Sequence, residues 1–155
     1  MGNICRSPTG EGVFRALVDR EGLVETVGVD SAGTISYHAG SRPDARMTRA
    51  AAARGYELGG RARQIRREDL RSFDLVVAMD RENRADILTL AAEGEPVAHV
   101  RLLSDFLEGE WPIDVPDPYY GGAEGFDRVL DMIEAACPRI LAHLLAGDGR
   151  EGAAR

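Results

Sequence analysis

Apolar positions along this chain recur in two alternating rhythms. From Pro8 to about Arg20, Val13, Phe14, Leu17 and Val18 fall at helical spacing, although Gly10 and Gly12 weaken the first turn. Val24 to Val29 then alternates apolar with polar, predicting a strand that ends at Asp30-Ser31. Asp44 to Arg54 reads as a helix with Met47, Ala50 and Ala51 on one side, and Gly55 stops it. Leu75 to Met79 is a short unbroken apolar run, the pattern of a strand buried on both faces of a parallel sheet. A helix over Arg81 to Ala92 and a strand over Val97 to Leu103 follow. The last helix carries Phe126, Val129, Leu130, Ile133, Cys137, Ile140, Leu141 and Leu144 on one stripe, and Pro138 predicts a kink or break in it. Strands alternating with helices point to an open parallel α/β sheet.

The first residues, Met1-Gly2-Asn3-Ile4-Cys5-Arg6-Ser7-Pro8, read differently. Gly2 and Asn3 tolerate unusual backbone angles, Ser7 is a suitable helix cap, and Pro8 suits the first helical position. Arg6 would then stand at the rim of a helix N-terminus, where free N–H groups and the helix dipole favour an anion. A guanidinium adds bidentate bonds to phosphate. These residues predict a phosphate cradle. A surface ion pair for Arg6 is the plainer alternative.

Composition narrows the partners. The net charge is −7, and every basic residue is arginine, so there is no basic stripe for nucleic acid and no Walker-type loop with lysine. An anionic substrate must be attracted locally, against the overall field. The two cysteines lie far apart and no signal peptide precedes them, which suggests a reducing cytoplasm. No apolar run approaches the about 18 residues that span a membrane. One domain over residues 1–146 is expected, with residues 147–155 as a disordered tail. His38, His99 and His143 carry no metal spacing, and neither metal nor cofactor is called for.

A second stretch bears on chemistry: Val115-Pro116-Asp117-Pro118-Tyr119-Tyr120-Gly121-Gly122. Prolines on both sides hold Asp117 extended, so its carboxyl is pointed rather than wandering. A carboxylic acid there could protonate a leaving phenolate, whose pKa is about 10. An ordinary Asp-Pro turn explains the same residues. Asp114 is nearby but lacks the flanking pattern. Tyr119, Tyr120 and Tyr37 could wall an aryl phosphate, or simply cover an apolar edge. Ser31 reads as a strand-end turn.

Gly2-Asn3-Ile4-Cys5-Arg6-Ser7-Pro8 and Asp117-Pro118-Tyr119-Tyr120-Gly121 together resemble the low-molecular-weight protein tyrosine phosphatases. Arg61-Ala62-Arg63-Gln64-Ile65, Asp69-Leu70, Phe73-Asp74 and Met79-Asp80 follow in that family's order. The resemblance implies a four-stranded parallel sheet with helices on both faces. It assigns Arg6 to phosphate binding, Gly2, Asn3, Ile4, Cys5 and Ser7 to the loop, and Ser31 to support of Asn3. Asp117 becomes the general acid, and Tyr37, Tyr119 and Tyr120 the substrate wall. It further implies hydrolysis of phosphotyrosine in proteins, or of small aryl phosphates, through a phosphocysteine, by a monomer or weak dimer.

Two departures stand out. The family's nucleophile opens a Cys-x5-Arg-Ser signature, and six positions before Arg6 lies one residue ahead of Met1. Neither Cys5 nor Cys137 begins such a signature, and Cys5 matches the second loop cysteine, which in the family can form a protective disulfide with the nucleophile. The expectation is therefore a gene start placed too late, with the first strand and nucleophile absent and the chain inactive as written. Gly60 also stands where many members carry a histidine that braces the loop asparagine. Two other readings share the scaffold. An arsenate reductase would need a further cysteine pair, and a catalytically dead phosphotyrosine-binding module would take the missing nucleophile at face value.

Overall fold

The computed structural model describes residues 1–147. Helix α1 (Arg6–Arg20) is followed by α2 (Ala45–Ala53), α3 (Arg67–Ser72), strand β1 (Val76–Ala78), α4 (Arg81–Leu88), strand β2 (Val100–Leu102) and α5 (Ala123–Leu145). Short 3-10 turns occupy Leu103–Phe106 and Pro118–Tyr120. The expected tail from residue 148 onward lies outside the described residues.

β1 and β2 pair in parallel, Val76 opposite Val100 and Ala78 opposite Leu102. Alternation along β1 separates the core into two clusters, as it must when successive side chains take opposite faces. Val76 and Ala78 pack with Leu70 of α3, Ile87 of α4 and Val100. Leu75, Val77 and Met79 join the larger cluster with α1, α2 and α5. Helices thus cover both faces of a parallel sheet. The four-strand expectation is corrected: two strands are present among the described residues. Val24–Thr26 form a turn, and residues 27–32 run on with no ladder partner among the described residues, because alternation prepares a strand but only a neighbour's main chain completes one. The bridge Gly33–Gln64 is isolated.

Other boundaries moved for local reasons. The α4 helix stops at Leu88 rather than Ala92, and β2 keeps only the centre of the run from Val97 to Leu103. Helix α5 runs unbroken through Pro138. Pro138 is exposed and leaves the Glu134 carbonyl without its helical donor, yet the helix continues past it. Helix α1 starts at Arg6, with Cys5 as its flanking residue, so Ser7 is not the cap. Pro8 still falls in the first turn, where a missing N–H costs nothing.

Candidate active site

The cradle is built by backbone first. None of the N–H groups of Gly2 to Ser7 donates to another described residue. In the first turn of α1 these donors have no helical acceptor, so they stand free at the positive end of the helix dipole. Glycine is required at Gly33, where a Cβ would run into main chain, meeting Asn3 N and Gly2 C at 2.9 Å; at Gly2 a Cβ would come within 2.6 Å of the His38 ring, which would have to turn aside.

Asn3 holds the loop. It is buried and has φ +59°, the left-handed conformation that asparagine tolerates better than other side chains. Its Nδ2 donates to Ser7 Oγ at 2.8 Å and to Ser31 Oγ at 3.0 Å, and its Oδ1 accepts from Arg63 N at 3.1 Å. Ser31 in turn donates to Glu11 Oε2 at 2.5 Å. Arg63 is itself fixed by Asp69 at 2.8 Å and Asp30 at 3.0 Å. The Asn3 amide is thus saturated without any histidine at position 60. Gly60 has φ +77° and a Cβ there would find nothing described within 4 Å, so a side chain would be strained and would lie in open space.

Arg6 is 5 % exposed. One end of its guanidinium is committed: Nη1 donates to Asp80 Oδ2 at 2.6 Å and to the Val115 carbonyl at 2.8 Å. Asp80 is oriented by its own role as cap of α4, its Oδ1 accepting from Asn83 N at 2.6 Å. Nε and Nη2 of Arg6 have no partner among the described residues, and neither is a fully buried orphan. They open onto a cavity of about 400 Å³ lined by the loop 1–7, Asp117, Tyr119 and Tyr120.

Asp117 and the tyrosines lie across that cavity. Asp117 caps the 3-10 turn through Tyr119 N at 3.1 Å and is otherwise exposed. Tyr37 and Tyr120 are 82 % and 89 % exposed, standing as free walls. His38 also lines the cavity, in edge contact with Tyr37 at 4.8 Å and 6.1 Å from Tyr119. Sequence spacing gave no sign of it, since Gly2 and Tyr119 come to it from distant segments. Asp114 is tied instead to Arg81 at 2.9 Å, which holds its carboxyl below the usual range and removes it as a proton donor. Helix α2 links the two halves of the site. Asp44 donates its N–H to the Ile4 carbonyl at 2.7 Å and caps α2. Arg46 bonds Asp44 and reaches the Tyr119 carbonyl at 3.1 Å.

Neither thiol is poised for this chemistry, although Cys5 belongs to the loop that lines the cavity. Cys5 is packed in the core, its carbonyl accepting from Thr9 Oγ1 at 2.8 Å, and burial with Asp44 and Asp117 nearby pushes its thiol up to about 12. Burial pushes Cys137 on α5 to about 12 as well.

A family model described as low molecular weight phosphotyrosine protein phosphatase matches residues 1–149. The chain belongs to that family. It is 44 % identical to a low molecular weight protein-tyrosine-phosphatase of Streptomyces coelicolor, over 91 % of this chain and 87 % of that one. Among solved structures, a protein tyrosine phosphatase of Entamoeba histolytica with Hepes in its active site superposes with TM-score 0.90 at 38 % identity, covering 96 % of this chain and 94 % of that chain. A Drosophila arginine phosphatase superposes with TM-score 0.85 at 31 % identity, covering 93 % of each. In this member of the low molecular weight phosphatases, no described helix is long and apolar enough to cross a membrane. No group of His, Cys, Asp or Glu among the described residues is placed to hold a metal ion.

Proposed function

We propose that this site is built for the hydrolysis of aryl phosphate esters, phosphotyrosine in proteins above all, in two steps through a phosphocysteine. The observation that carries the reading is the free Nε–Nη2 edge of Arg6, which opens with the unpaired loop amides onto the cavity that Asp117 also lines. A phosphate seated there meets a bidentate guanidinium and a ring of N–H donors, which stabilise charge spread over its equatorial oxygens. A thiolate attacks phosphorus, the bond from phosphorus to the phenolic oxygen breaks, and Asp117 gives its proton to that oxygen. Water then attacks phosphorus, Asp117 takes its proton, and the sulfur–phosphorus bond breaks to release phosphate. Asn3, Ser7 and Ser31 keep the loop in shape, and Tyr37, Tyr119 and Tyr120 select a flat aromatic ester.

The thiolate is not one of the two thiols present. Cys5 and Cys137 are buried, and each is protonated across the physiological range. We therefore propose that the 155-residue polypeptide binds oxyanions without turning them over. The family's spacing would put a nucleophilic cysteine six positions before Arg6, and neither Cys5 nor Cys137 stands there. The reductase reading is weaker, since it needs redox-active thiols and Cys137 is sealed in the core. The protein with one cysteine added before Met1, compared with serine there, tests the proposal. The expected result is thiol-dependent hydrolysis of p-nitrophenyl phosphate and of phosphotyrosyl peptide, faster than of phosphoarginine. Equal rates with serine, or a preference for phosphoarginine, would overturn it.

A further inference from the structure

The net charge of −7 is unevenly spread along the chain. Residues 31–67 hold eight arginines and two carboxylates, a local balance of +6 against −13 for the rest. Ion pairs absorb part of it, since Arg46, Arg54, Arg63 and Arg67 are each held by a carboxylate. Three of the remaining four, Arg42, Arg49 and Arg61, are exposed and have no carboxylate partner among the described residues. They make no continuous stripe. The fold instead sets them beside the two aromatic edges of the phosphate cavity.

On the Tyr37 edge, main-chain bonds bring two of them together. Gly40 N donates to the Ala62 carbonyl and Ala62 N to the Ser41 carbonyl, both at 2.8 Å, and Arg61 Nη1 reaches the Gly40 carbonyl at 3.1 Å. Arg42 and Arg61 thus belong to the loop whose Tyr37 and His38 line the cavity. Two residues further on, Asp44 N is bonded to the Ile4 carbonyl of the cradle, which holds Arg42 in place. On the Tyr120 edge, Arg49 lies one turn beyond Arg46 on α2, and the Arg46 guanidinium is spent on Asp44 and the Tyr119 carbonyl. Arg49 lines a cleft of about 450 Å³ with Gly121 and Gly122, which directly follow Tyr120. Asp127, which also lines it, is taken by Arg54 at 3.3 Å. Glu124, in the first turn of α5, is the opposing charge on this edge.

We infer that Arg42, Arg49 and Arg61 form a docking rim that selects peptides in which acidic residues flank the phosphotyrosine on both sides. The inference rests on the phosphatase reading and narrows its substrate. With the ester in the cradle and its ring between Tyr37 and Tyr120, the peptide main chain crosses the mouth of the cavity. At about 3.3 Å per extended residue, side chains two to four places away stand about 7–13 Å from the ring, over the loop 40–42 on one edge and α2 on the other. Carboxylates there gain charge-assisted bonds to guanidiniums that no protein carboxylate holds. The −13 elsewhere does not cancel this, because charges more than about 8 Å away are largely screened at physiological ionic strength. Local sign therefore governs docking, and overall sign only slows approach. A flat anionic surface such as a vesicle meets the rim but cannot send a single group down to the cradle, as a phosphotyrosyl side chain does.

Two peptides test the rim separately from the cradle. Both carry the non-hydrolysable difluoromethylphosphonate analogue of phosphotyrosine, X, one as Asp-Glu-Glu-X-Glu-Glu-Asp and the other as Asn-Gln-Gln-X-Gln-Gln-Asn. Calorimetry measures their binding to the 155-residue protein. An exposed ion pair is worth up to about fivefold in affinity, so the acidic peptide should bind about tenfold more tightly at about 50 mM salt. The gap should close to about twofold at about 0.5 M salt. Arg42→Glu/Arg49→Glu should abolish or reverse the preference, and Arg42→Gln/Arg49→Gln should fall between. Vanadate has no flanks, so its affinity should stay within about twofold in both variants, which also shows that they are folded. Equal binding of the two peptides, a gap that salt leaves unchanged, or a preference kept after charge reversal would each overturn the inference alone. So would an acidic peptide with plain tyrosine that binds as tightly as the phosphonate. Failure of both phosphonates and of vanadate to bind the native protein would instead sink the phosphatase reading, and the docking rim with it.

Discussion

Asp80 Oδ2 stands 2.6 Å from Arg6 Nη1, joining the cap of α4 to the first residue of α1 across 74 positions of sequence. The pair leaves one face of the guanidinium free for a ligand and fixes the plane in which that face lies.

Removing the carboxylate should therefore loosen the cradle and unbalance a buried charge. Asp80→Ala is expected to destabilise the fold by about 3 kcal/mol, as when one partner of a buried pair is removed. Urea unfolding followed by circular dichroism measures it. Vanadate affinity should fall about tenfold in the same variant, and further in Arg6→Ala, where the charge-assisted bonds themselves are lost. Unchanged affinity in Arg6→Ala would remove the guanidinium from the site.

Asn3 allows a finer separation of shape from bonding. Asn3→Gly keeps the left-handed backbone and loses three side-chain hydrogen bonds, at about 1 kcal/mol each. Asn3→Ala loses the same bonds and adds about 1–2 kcal/mol of backbone strain. Alanine should thus be the less stable of the two, and a glycine variant at least as unstable would show that φ +59° is not a constraint here.

Asp117 and Asp114 should behave oppositely in the form with a cysteine added before Met1. Asp117→Asn is expected to lower kcat about 10²–10⁴-fold on phenyl phosphate, as loss of a general acid does. The loss should shrink on p-nitrophenyl phosphate, whose leaving group needs less help. Asp114→Asn, bound up with Arg81, should leave the rate within about twofold, and steady-state kinetics on both esters distinguish the outcomes.

The buried thiols predict a fall in stability at high pH. Each is raised from the usual 9.0 to about 12, so the folded state keeps protons that the unfolded chain gives up. Stability from this source is whole below pH 9 and declines as pH rises toward about 12, by about 1.4 kcal/mol per unit for each thiol at most. Urea midpoints at pH 8 and pH 10 should differ more in the native chain than in Cys5→Ala/Cys137→Ala. At pH 8, iodoacetamide should label neither cysteine until urea is added.

Much of this architecture can be read from residue patterns, and the remainder has a physical reason for staying hidden. The stripe from Phe126 to Leu141 is buried as its spacing predicts, because a long amphipathic helix advertises its own packing face. Gly55, at φ +86°, closes the helix that Met47 and Ala51 bury. Strands are less legible. Val24 to Val29 has the alternation but no ladder, since pairing depends on a neighbour that no local window contains. Ser7 has the chemistry of a cap, yet its hydroxyl serves Asn3 and the helix begins one residue earlier. Asp80 and His38 receive no role from the sequence, and Glu11 escapes notice, because Asp80 meets Arg6, His38 meets Tyr119 and Glu11 meets Ser31 only in the fold.

The α2 link has a consequence for how such an enzyme would be tuned. Asp44 holds the Ile4 carbonyl, and Arg46 holds the Tyr119 carbonyl beside the acid. This short helix therefore works as a gauge block between the oxyanion seat and the proton donor. Selection on catalytic speed should accumulate changes along it, at positions that never touch a reacting atom.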